Sequence, residues 1–228
     1  MGRAILIAAT DTGAGKTYVS CLLGKAMRRE GMAVHPLKPV ESGCETGMDG
    51  APFPADASLL RESIAPHLPL SEVCLYALSA PLSPHLAARA DGVAIDTGKI
   101  LAAVRNAAES SDVVLVEAAG GIAVEIREGY FLTDLARDAG LSVLVVAENR
   151  LGILNHLRLT ERFLRSEGLS PPGVILNDRT PDRFPAREPN EAEVRLIAGD
   201  RYLGRIPHGA RTLPEGIFPG VFGILTRP

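Results

Sequence analysis

The sequence predicts an α/β fold in which a mostly parallel, doubly wound sheet is flanked by helices in a three-layer arrangement. Short apolar runs alternate along the chain with segments of helical periodicity, and the first run, residues 4–10, shows no alternation of apolar and polar residues. A strand that is apolar on both faces is typical of a parallel sheet covered on both sides. Alternating strands and helices indicate the doubly wound topology. We expect one domain over residues 1–228.

The expected elements follow one another from the N-terminus as strand and helix. After the strand at 4–10, apolar residues recur at helical spacing from Gly15 to about Glu30, and Gly31 supplies a C-terminal stop. Further strands are predicted at 33–38, 112–118, 142–147, 172–177 and 201–206, and further helices near 97–109, 131–139, 152–167 and 190–198. Gly and Pro residues predict loops at 42–55 and 178–189 and an irregular tail after Pro207.

Composition and charge exclude several classes of protein. The net charge is −3 and there is no long run of Lys or Arg, so we expect no nucleic-acid partner. No uninterrupted apolar stretch reaches the roughly 18 to 20 residues that span a bilayer, and the N-terminus does not resemble a signal peptide. We therefore expect a cytoplasmic protein without a membrane partner. The three cysteines lack metal-ligand spacing and are expected to be reduced thiols.

The segment ATDTGAGKT, residues 9–17, lies where the first strand meets the first helix. Its glycines let the backbone direct N–H groups toward phosphate oxygens, while Lys16 can bridge the β- and γ-phosphates and Thr17 can bind Mg²⁺. Thr10 stands where the strict P-loop pattern has its first glycine. The alternative is a Gly-rich turn that binds nothing. The motif in this context predicts a P-loop NTPase-like fold and nucleotide binding by Asp11, Thr12, Gly13, Ala14, Gly15, Lys16, Thr17 and Tyr18.

Charged residues at the ends of later strands supply further candidates. Lys38 ends the second strand, where α/β sheets place ligand-binding groups, although it can also be a solvated lysine. Glu117 ends the 112–118 strand, and a buried strand-end carboxylate is costly unless it meets a cation. Asp56 opens a helix and can be a metal ligand or simply an N-cap. The helix start near 150–156 can receive an anionic substrate.

These motifs, in this order, resemble the dethiobiotin synthetase family over nearly the whole chain. The resemblance rests on TDTGAGKT at 10–17, KPVESG at 38–43, Asp56, PLSPH at 81–85, VEAAGG at 116–121, RLGILNH at 150–156, LND at 176–178 and IPH at 206–208. It implies a Mg²⁺-dependent homodimeric ligase of biotin biosynthesis. Such an enzyme converts 7,8-diaminononanoate, CO₂ and ATP into dethiobiotin, ADP and phosphate.

The resemblance also implies roles for individual residues. Lys16 and Lys38 would contact the transferring phosphoryl group and the substrate carbamate, with Thr12 and Ser42 helping to position them. Thr17, Asp56 and Glu117 would hold Mg²⁺, and Asn177 and Pro207 would meet the nucleotide base. The substrate would be bound by Lys38, Ser42, Glu117, Ala118, Gly120 and Gly121 and, from the neighbouring subunit, by Gly152, Ile153, Leu154 and Asn155.

Two departures from the family pattern and two alternative functions accompany this interpretation. Ala118 stands where the family often has glycine and would slightly crowd the substrate, while Glu41 places a negative charge beside Lys38 and is expected to be harmless only if it points to solvent. One alternative is a MinD- or ParA-like ATPase, which would carry an additional lysine near the loop start, where this chain has Thr10, Asp11 and Thr12. The other is a ligase related to cobyrinic acid diamide synthases, which usually append a glutaminase domain.

Overall fold

The computed structural model describes residues 2–170, 173–181 and 186–225, and all strand and helix bounds refer to these residues. The strands are β1 (Arg3–Ala9), β2 (Val34–Leu37), β3 (Val40–Ser42), β4 (Glu45–Thr46), β5 (Pro52–Phe53), β6 (Tyr76–Leu78), β7 (Val113–Glu117), β8 (Glu125–Arg127), β9 (Tyr130–Phe131), β10 (Ser142–Glu148), β11 (Gly173–Asn177) and β12 (Tyr202–Ile206). The helices are α1 (Lys16–Arg29), α2 (Ala55–Ile64), α3 (Leu70–Val73), α4 (Pro84–Ala90), α5 (Thr97–Ser110), α6 (Leu132–Asp138), α7 (Ile153–Ser166), α8 (Arg187–Ala198), a 3₁₀ turn (Gly199–Arg201) and α9 (Ile217–Leu225).

Six strands form a parallel central sheet in the order β12-β11-β10-β1-β7-β2. The chain starts in the middle of the sheet and builds outward in both directions, as in a doubly wound fold. This confirms the predicted fold class and the six predicted strands. The carboxyl ends of β1, β2 and β7 meet at one edge, where the loops after these strands carry the candidate site residues.

Both faces of the sheet are buried. Along β1, Ile5 and Ile7 belong to a core cluster with α1, α2 and α9, whereas Leu6 and Ala8 belong to a second cluster with α5 and α6 on the opposite face. Successive side chains of a strand point to opposite faces, so a strand between two helical layers needs apolar residues at every position. This is why the apolar run at 4–10 does not alternate.

Two predictions about irregular segments are wrong in part. The tail after Pro207 was expected to be irregular, but α9 forms there because Ile217 and Val221, four residues apart, are buried in the core cluster beside α1. The loop predicted at 178–189 ends earlier, since α8 begins at Arg187. Pro189 is tolerated in the first turn of that helix, where backbone N–H groups have no intrahelical partner. Residues 182–185 of the predicted loop lie outside the described residues.

The remaining segments add short elements that the sequence pattern did not reveal. β3 pairs with β6 beside the central sheet, and β4 pairs with β5 inside the loop predicted at 42–55. Cys21, Cys44 and Cys74 are buried free thiols, as predicted. Within the described ranges, no helix combines the length and apolar character needed to cross a bilayer.

Candidate active site

The phosphate loop connects β1 to α1 and is built around two glycines with positive φ. Gly13 has φ of 77° and Gly15 has φ of 93°, and residues other than glycine rarely adopt this backbone region. A Cβ atom at Gly15 would also lie 2.3 Å from Nδ2 of Asn177. Position 15 therefore requires glycine, because of its positive φ and because Asn177 leaves no room for a Cβ atom. A loop of this shape can direct N–H groups toward an anion.

Two lysines are buried at this loop. Lys16 opens α1, and Lys38 follows β2; both are buried. Burial and the neighbouring charge of Lys38 lower the pKa of Lys16 to about 8. Burial alone would also lower the pKa of Lys38, but the carboxylates of Glu117 and Asp56 act more strongly in the opposite direction, so its pKa lies above the ordinary value. Lys38 is therefore a permanent cation here, not the solvated side chain of the alternative interpretation.

Glu117 is the centre of a buried hydrogen-bond cluster at the end of β7. Its side chain is 1% exposed, and its Oε1 accepts hydrogen bonds from Thr17 Oγ1 and Lys38 Nζ, each at 2.7 Å. Its Oε2 accepts a hydrogen bond from Ser20 Oγ at 2.8 Å. Ser20 was not among the predicted site residues, although its position three residues after Thr17 places both hydroxyls on one face of α1. The strand-end carboxylate thus meets the cation that its burial requires.

Asp56 completes the cluster from the first turn of α2. Its Oδ2 lies 3.3 Å from Nζ of Lys38, and its side chain is 50% exposed. Asp56 is not the N-cap, because α2 begins at Ala55 and its N-cap residue is Pro54.

The expectation for Glu41 is corrected by the structure. Its side chain points inward and is buried, and its carboxylate accepts hydrogen bonds from the backbone N–H groups of Asp56 and Ala57, both at 2.9 Å. Burial raises the pKa of Glu41, and the hydrogen bonds and the charge of Lys38 partly offset this effect. The carboxylate is compensated by the start of a helix and not by solvent.

Apart from Glu117 and Ser20, which are buried behind it, these side chains line one cavity of about 880 Å³. Its polar wall is formed by the phosphate loop and by charged and hydroxyl side chains, namely Thr12, Gly13, Gly15, Lys16, Thr17, Lys38, Glu41, Ser42 and Asp56. Its apolar wall is formed by Leu59, Pro81, Leu82, Pro84 and Val124. A cavity of similar volume, about 890 Å³, lies around Arg3, Glu109 and Phe222 and contains no residue of the phosphate loop. Of these two cavities, the one at the phosphate loop contains the predicted site residues.

Some predicted substrate residues do not line this cavity. Gly120 lies in the cavity wall, but Ala118 is 1% exposed and packs in the hydrophobic core. The expectation that the Ala118 methyl group would crowd the substrate is therefore wrong. Gly121 is likewise not among the lining residues. Residues 152–155, which are predicted to reach the site of the neighbouring subunit, lie at the start of α7 and do not line this cavity. Gly152 is the N-cap residue of α7 and has φ of 92°.

The predicted base-binding residues lie behind the phosphate loop. Nδ2 of Asn177 donates to the carbonyl of Ala14 at 2.8 Å, and its buried Oδ1 has no hydrogen-bond partner within the described parts of the chain. The hydroxyl of Tyr18 donates to the carbonyl of Ala210, which joins α1 to the turn that begins at exposed Pro207. An unpaired buried acceptor is costly unless a ligand supplies a donor.

Arg179 is a further residue at this end of the cavity that was not among the predicted site residues. It follows the LND segment, its Nη1 donates to the carbonyl of Gly13, and its side chain lines the cavity. The adjacent turn is fixed by a 2.7 Å hydrogen bond between His208 Nδ1 and the carbonyl of Arg179. A basic residue directly after a predicted strand end was the available signal, but one charged residue in a predicted loop does not distinguish a ligand contact from a solvated side chain.

The parallel sheet, the glycine-built phosphate loop and the buried Lys16 define a P-loop nucleotide-binding protein. Solved structures share this fold: a ParA family ATPase from Chlorobium tepidum TLS matches with a TM-score of 0.58 at 16% identity, covering 96% of this chain and 90% of that chain. The MinD protein of Pyrococcus horikoshii OT3, complexed with Mg-ADP, matches with a TM-score of 0.55 at 20% identity, covering 96% and 86%. At such identities these similarities show the fold alone.

Sequence relatives define the family. A family model described as an AAA domain matches residues 3–215. ATP-dependent dethiobiotin synthetase BioD of Anaeromyxobacter sp. (strain Fw109-5) is 39% identical over 206 residues, covering 90% of both chains. The protein of the same name from Aromatoleum aromaticum is 39% identical over 215 residues, covering 94% of this chain and 95% of that protein. The chain belongs to the ATP-dependent dethiobiotin synthetase family.

Proposed function

We propose that the protein uses ATP to join 7,8-diaminononanoate and CO₂ into dethiobiotin, with release of ADP and phosphate. The observation that carries the proposal is Lys38, a second buried lysine that shares one cavity with the phosphate loop and is charged at neutral pH. ATP binding alone requires only Lys16 at the loop. A second fixed cation suits a reaction in which an anionic substrate approaches a transferring phosphoryl group.

The oxygen atoms beside Lys38 also suit Mg²⁺. The Glu117 and Asp56 carboxylates contact the Lys38 ammonium group, and the Thr17 hydroxyl donates to Glu117. Mg²⁺ prefers such oxygen ligands. The described residues contain no group of three His, Cys, Asp or Glu side chains that could hold a metal. A bound Mg²⁺ would therefore take its other ligands from ATP and water, as Mg²⁺ usually does. Its chemistry would be to neutralise charge on the phosphate oxygens.

In the proposed reaction, one substrate amine first takes up CO₂ as a carbamate. A carbamate oxygen then attacks the γ-phosphorus of ATP, the bond to ADP breaks, and a mixed anhydride of carbamic and phosphoric acids forms. The second amine attacks the carbamoyl carbon, phosphate leaves, and the cyclic urea closes. Lys16 and Lys38 stabilise the oxygen charges in these steps, with Thr12 and Ser42 beside them in the cavity.

The apolar wall of the cavity suits the hydrocarbon chain of the substrate. Leu59 and Leu82 face the cavity, and each keeps nearly half of its surface exposed. We further propose a homodimer in which the start of α7 from the neighbouring subunit receives the distant substrate carboxylate. In support, Leu151, just before that helix, is 72% exposed and Leu159 within it is also exposed, as expected for residues that a second subunit covers.

The choice of ATP as the nucleotide and a cytoplasmic location of the protein are also part of this proposal. Oδ1 of Asn177 is a buried acceptor that can receive a hydrogen bond from the adenine amino group, whereas guanine presents a carbonyl oxygen at the equivalent position. This favours ATP as the nucleotide. Use of ATP and three buried free thiols fit a cytoplasmic location.

The test is to measure phosphate release by the purified protein with Mg²⁺, ATP and bicarbonate, with and without 7,8-diaminononanoate, while labelled carbon is followed into a non-volatile product. Diamine-dependent release that matches carbon fixation is expected. Lys16→Ala and Lys38→Ala should each lose most of the turnover. Diamine-independent hydrolysis without carbon fixation would instead favour a switch ATPase of the MinD or ParA kind, and normal turnover by Lys38→Ala would refute its role.

A further inference from the structure

Glu41 lies in β3, and both of its carboxylate oxygens are used by another part of the chain. Oε1 accepts a hydrogen bond from the N–H of Asp56 and Oε2 accepts one from the N–H of Ala57, each at 2.9 Å. The residue is 7% exposed. Glu41 therefore connects the strand that carries Ser42 to the first turn of α2, although 15 positions separate it from Asp56 in sequence.

The first turn of α2 needs this connection because its own N-cap residue cannot cap it. The N-cap residue is Pro54, which has no side-chain oxygen, whereas helices usually place Ser, Thr, Asp or Asn there. The N–H groups of Asp56 and Ala57 are those that an N-cap oxygen would accept from. The negative charge of Glu41 also matches the positive end of the helix dipole. Glu41 thus replaces the missing cap from a different strand.

The capped turn carries Asp56, whose side chain contacts Lys38. Its Oδ2 lies 3.3 Å from Nζ of Lys38, and Lys38 in turn contacts Glu117 at 2.7 Å. Holding the backbone of Asp56 therefore restrains the distance between the two carboxylates that contact Lys38. Each oxygen of Glu41 already accepts one backbone N–H, so its carboxylate is held by the helix start.

We infer that Glu41 is a positioning residue, which holds the first turn of α2 so that Asp56 and Glu117 can bind one Mg²⁺ ion together. This inference rests on the metal site of the proposed function. It gives a structural role to the acidic residue of the KPVESG segment. It also explains why the Glu41 carboxylate is tolerated near those of Asp56 and Glu117. Without Glu41, the turn would lose both cap hydrogen bonds and Asp56 would lose its fixed position.

The test measures Mn²⁺ binding to the ADP-saturated protein from the loss of the free Mn²⁺ signal in electron paramagnetic resonance. Glu41→Ala should raise the Mn²⁺ dissociation constant about fivefold, which corresponds to about 1 kcal/mol, the typical contribution of a helix cap. Glu41→Gln should have a smaller effect, because its amide oxygen can still accept one of the two N–H groups. ADP affinity without metal should stay unchanged in both variants, which a general loss of structure would not allow.

A double-mutant cycle separates action through Asp56 from other effects. Asp56→Asn should weaken Mn²⁺ binding by itself, and adding Glu41→Ala to it should cause no further loss. Glu45→Ala is the matched control, since this glutamate lies in neighbouring β4 and is exposed, and it should bind Mn²⁺ like the wild type.

Two results would overturn the inference in distinguishable ways. Unchanged Mn²⁺ affinity in Glu41→Ala, with normal binding by the wild type, refutes the positioning role alone. Absence of Mn²⁺ binding by the wild type refutes the proposed metal site and the inference with it. If Glu41→Ala does not fold, the same two measurements are made on Glu41→Gln. Weaker Mn²⁺ binding with unchanged metal-free ADP binding supports the positioning role, and unchanged Mn²⁺ binding refutes it.

Discussion

Raising the pH from 7 to 9 should weaken ATP binding about tenfold, because Lys16 loses its proton in the free protein over this range. Burial and the charge of Lys38 lower the pKa of Lys16 to about 8. A group with this pKa is about nine-tenths protonated at pH 7 and about one-tenth protonated at pH 9. ATP is an anion and binds the protonated lysine, so binding above pH 8 must include uptake of a proton. The sign is therefore loss of affinity with rising pH.

Few other groups interfere in this pH window. The pKa of Lys38 is raised above its ordinary value, and burial raises the pKa of each of the three cysteine thiols and of Tyr18. Burial lowers the pKa of His35, which therefore titrates below this window. The change between pH 7 and pH 9 thus reports mainly on the side chain at the phosphate loop.

Isothermal titration calorimetry with ATP and saturating Mg²⁺, without the diamine, provides the measurement. At pH 8, titrations in buffers of different ionisation enthalpy should show uptake of about half a proton per ATP bound. Lys16→Arg is the control, because its guanidinium group keeps its charge throughout and should show no such pH dependence. Wild-type affinity that changes less than twofold between pH 7 and pH 9, without proton uptake, would refute the reasoning.

Three further predictions follow from the described contacts. Arg179→Ala should raise the KM for ATP about tenfold, because it removes a charged hydrogen bond to the loop carbonyl of Gly13; an unchanged KM would show that Arg179 does not support the loop. Ile217→Ala should lower the free energy of unfolding by about 2 to 5 kcal/mol in urea titrations, because this side chain of α9 is buried in the core cluster beside α1; a surface position would lose much less. Lys38→Met should lower it by about 3 to 5 kcal/mol, whereas Lys38→Met combined with Glu117→Leu should restore near-normal stability without activity; additive losses would contradict this.

The central sheet was predictable because its strands are covered on both faces. Such strands must be apolar at consecutive positions, so residues 4–10 and 142–147 stand out from helices and loops in the sequence. The short strands β3 and β6 were not predictable, because three residues are too few to show a period. For α9, Gly and Pro suggested irregular structure, but burial against the sheet overrides these weak local preferences. The spacing of Ile217 and Val221 was the signal that could have revealed the helix.

The candidate site was predictable as far as its residues end strands or follow the phosphate loop. Lys38 and Glu117 are recognisable because the ends of parallel strands meet at one edge of the sheet. The role of Glu41 was not predictable, because its partner is the backbone of a helix that begins 14 positions later, and no local sequence pattern indicates that contact. The one available sign was negative: the residue before this helix is a proline that cannot cap it.

The charge cluster around Glu117 is better explained by function than by stability. A carboxylate that is 1% exposed must be compensated, and here Lys38, Thr17 and Ser20 supply three hydrogen bonds. When apolar residues of similar volume replace a buried ion pair, the fold is often as stable as before or more stable. Burial is the main cause of the lowered pKa of Lys16, and the charge of Lys38 lowers it further, so the two lysines are also unfavourable to each other. Anionic phosphate and carbamate oxygens would relieve this repulsion, so the two lysines are placed to receive an anionic ligand.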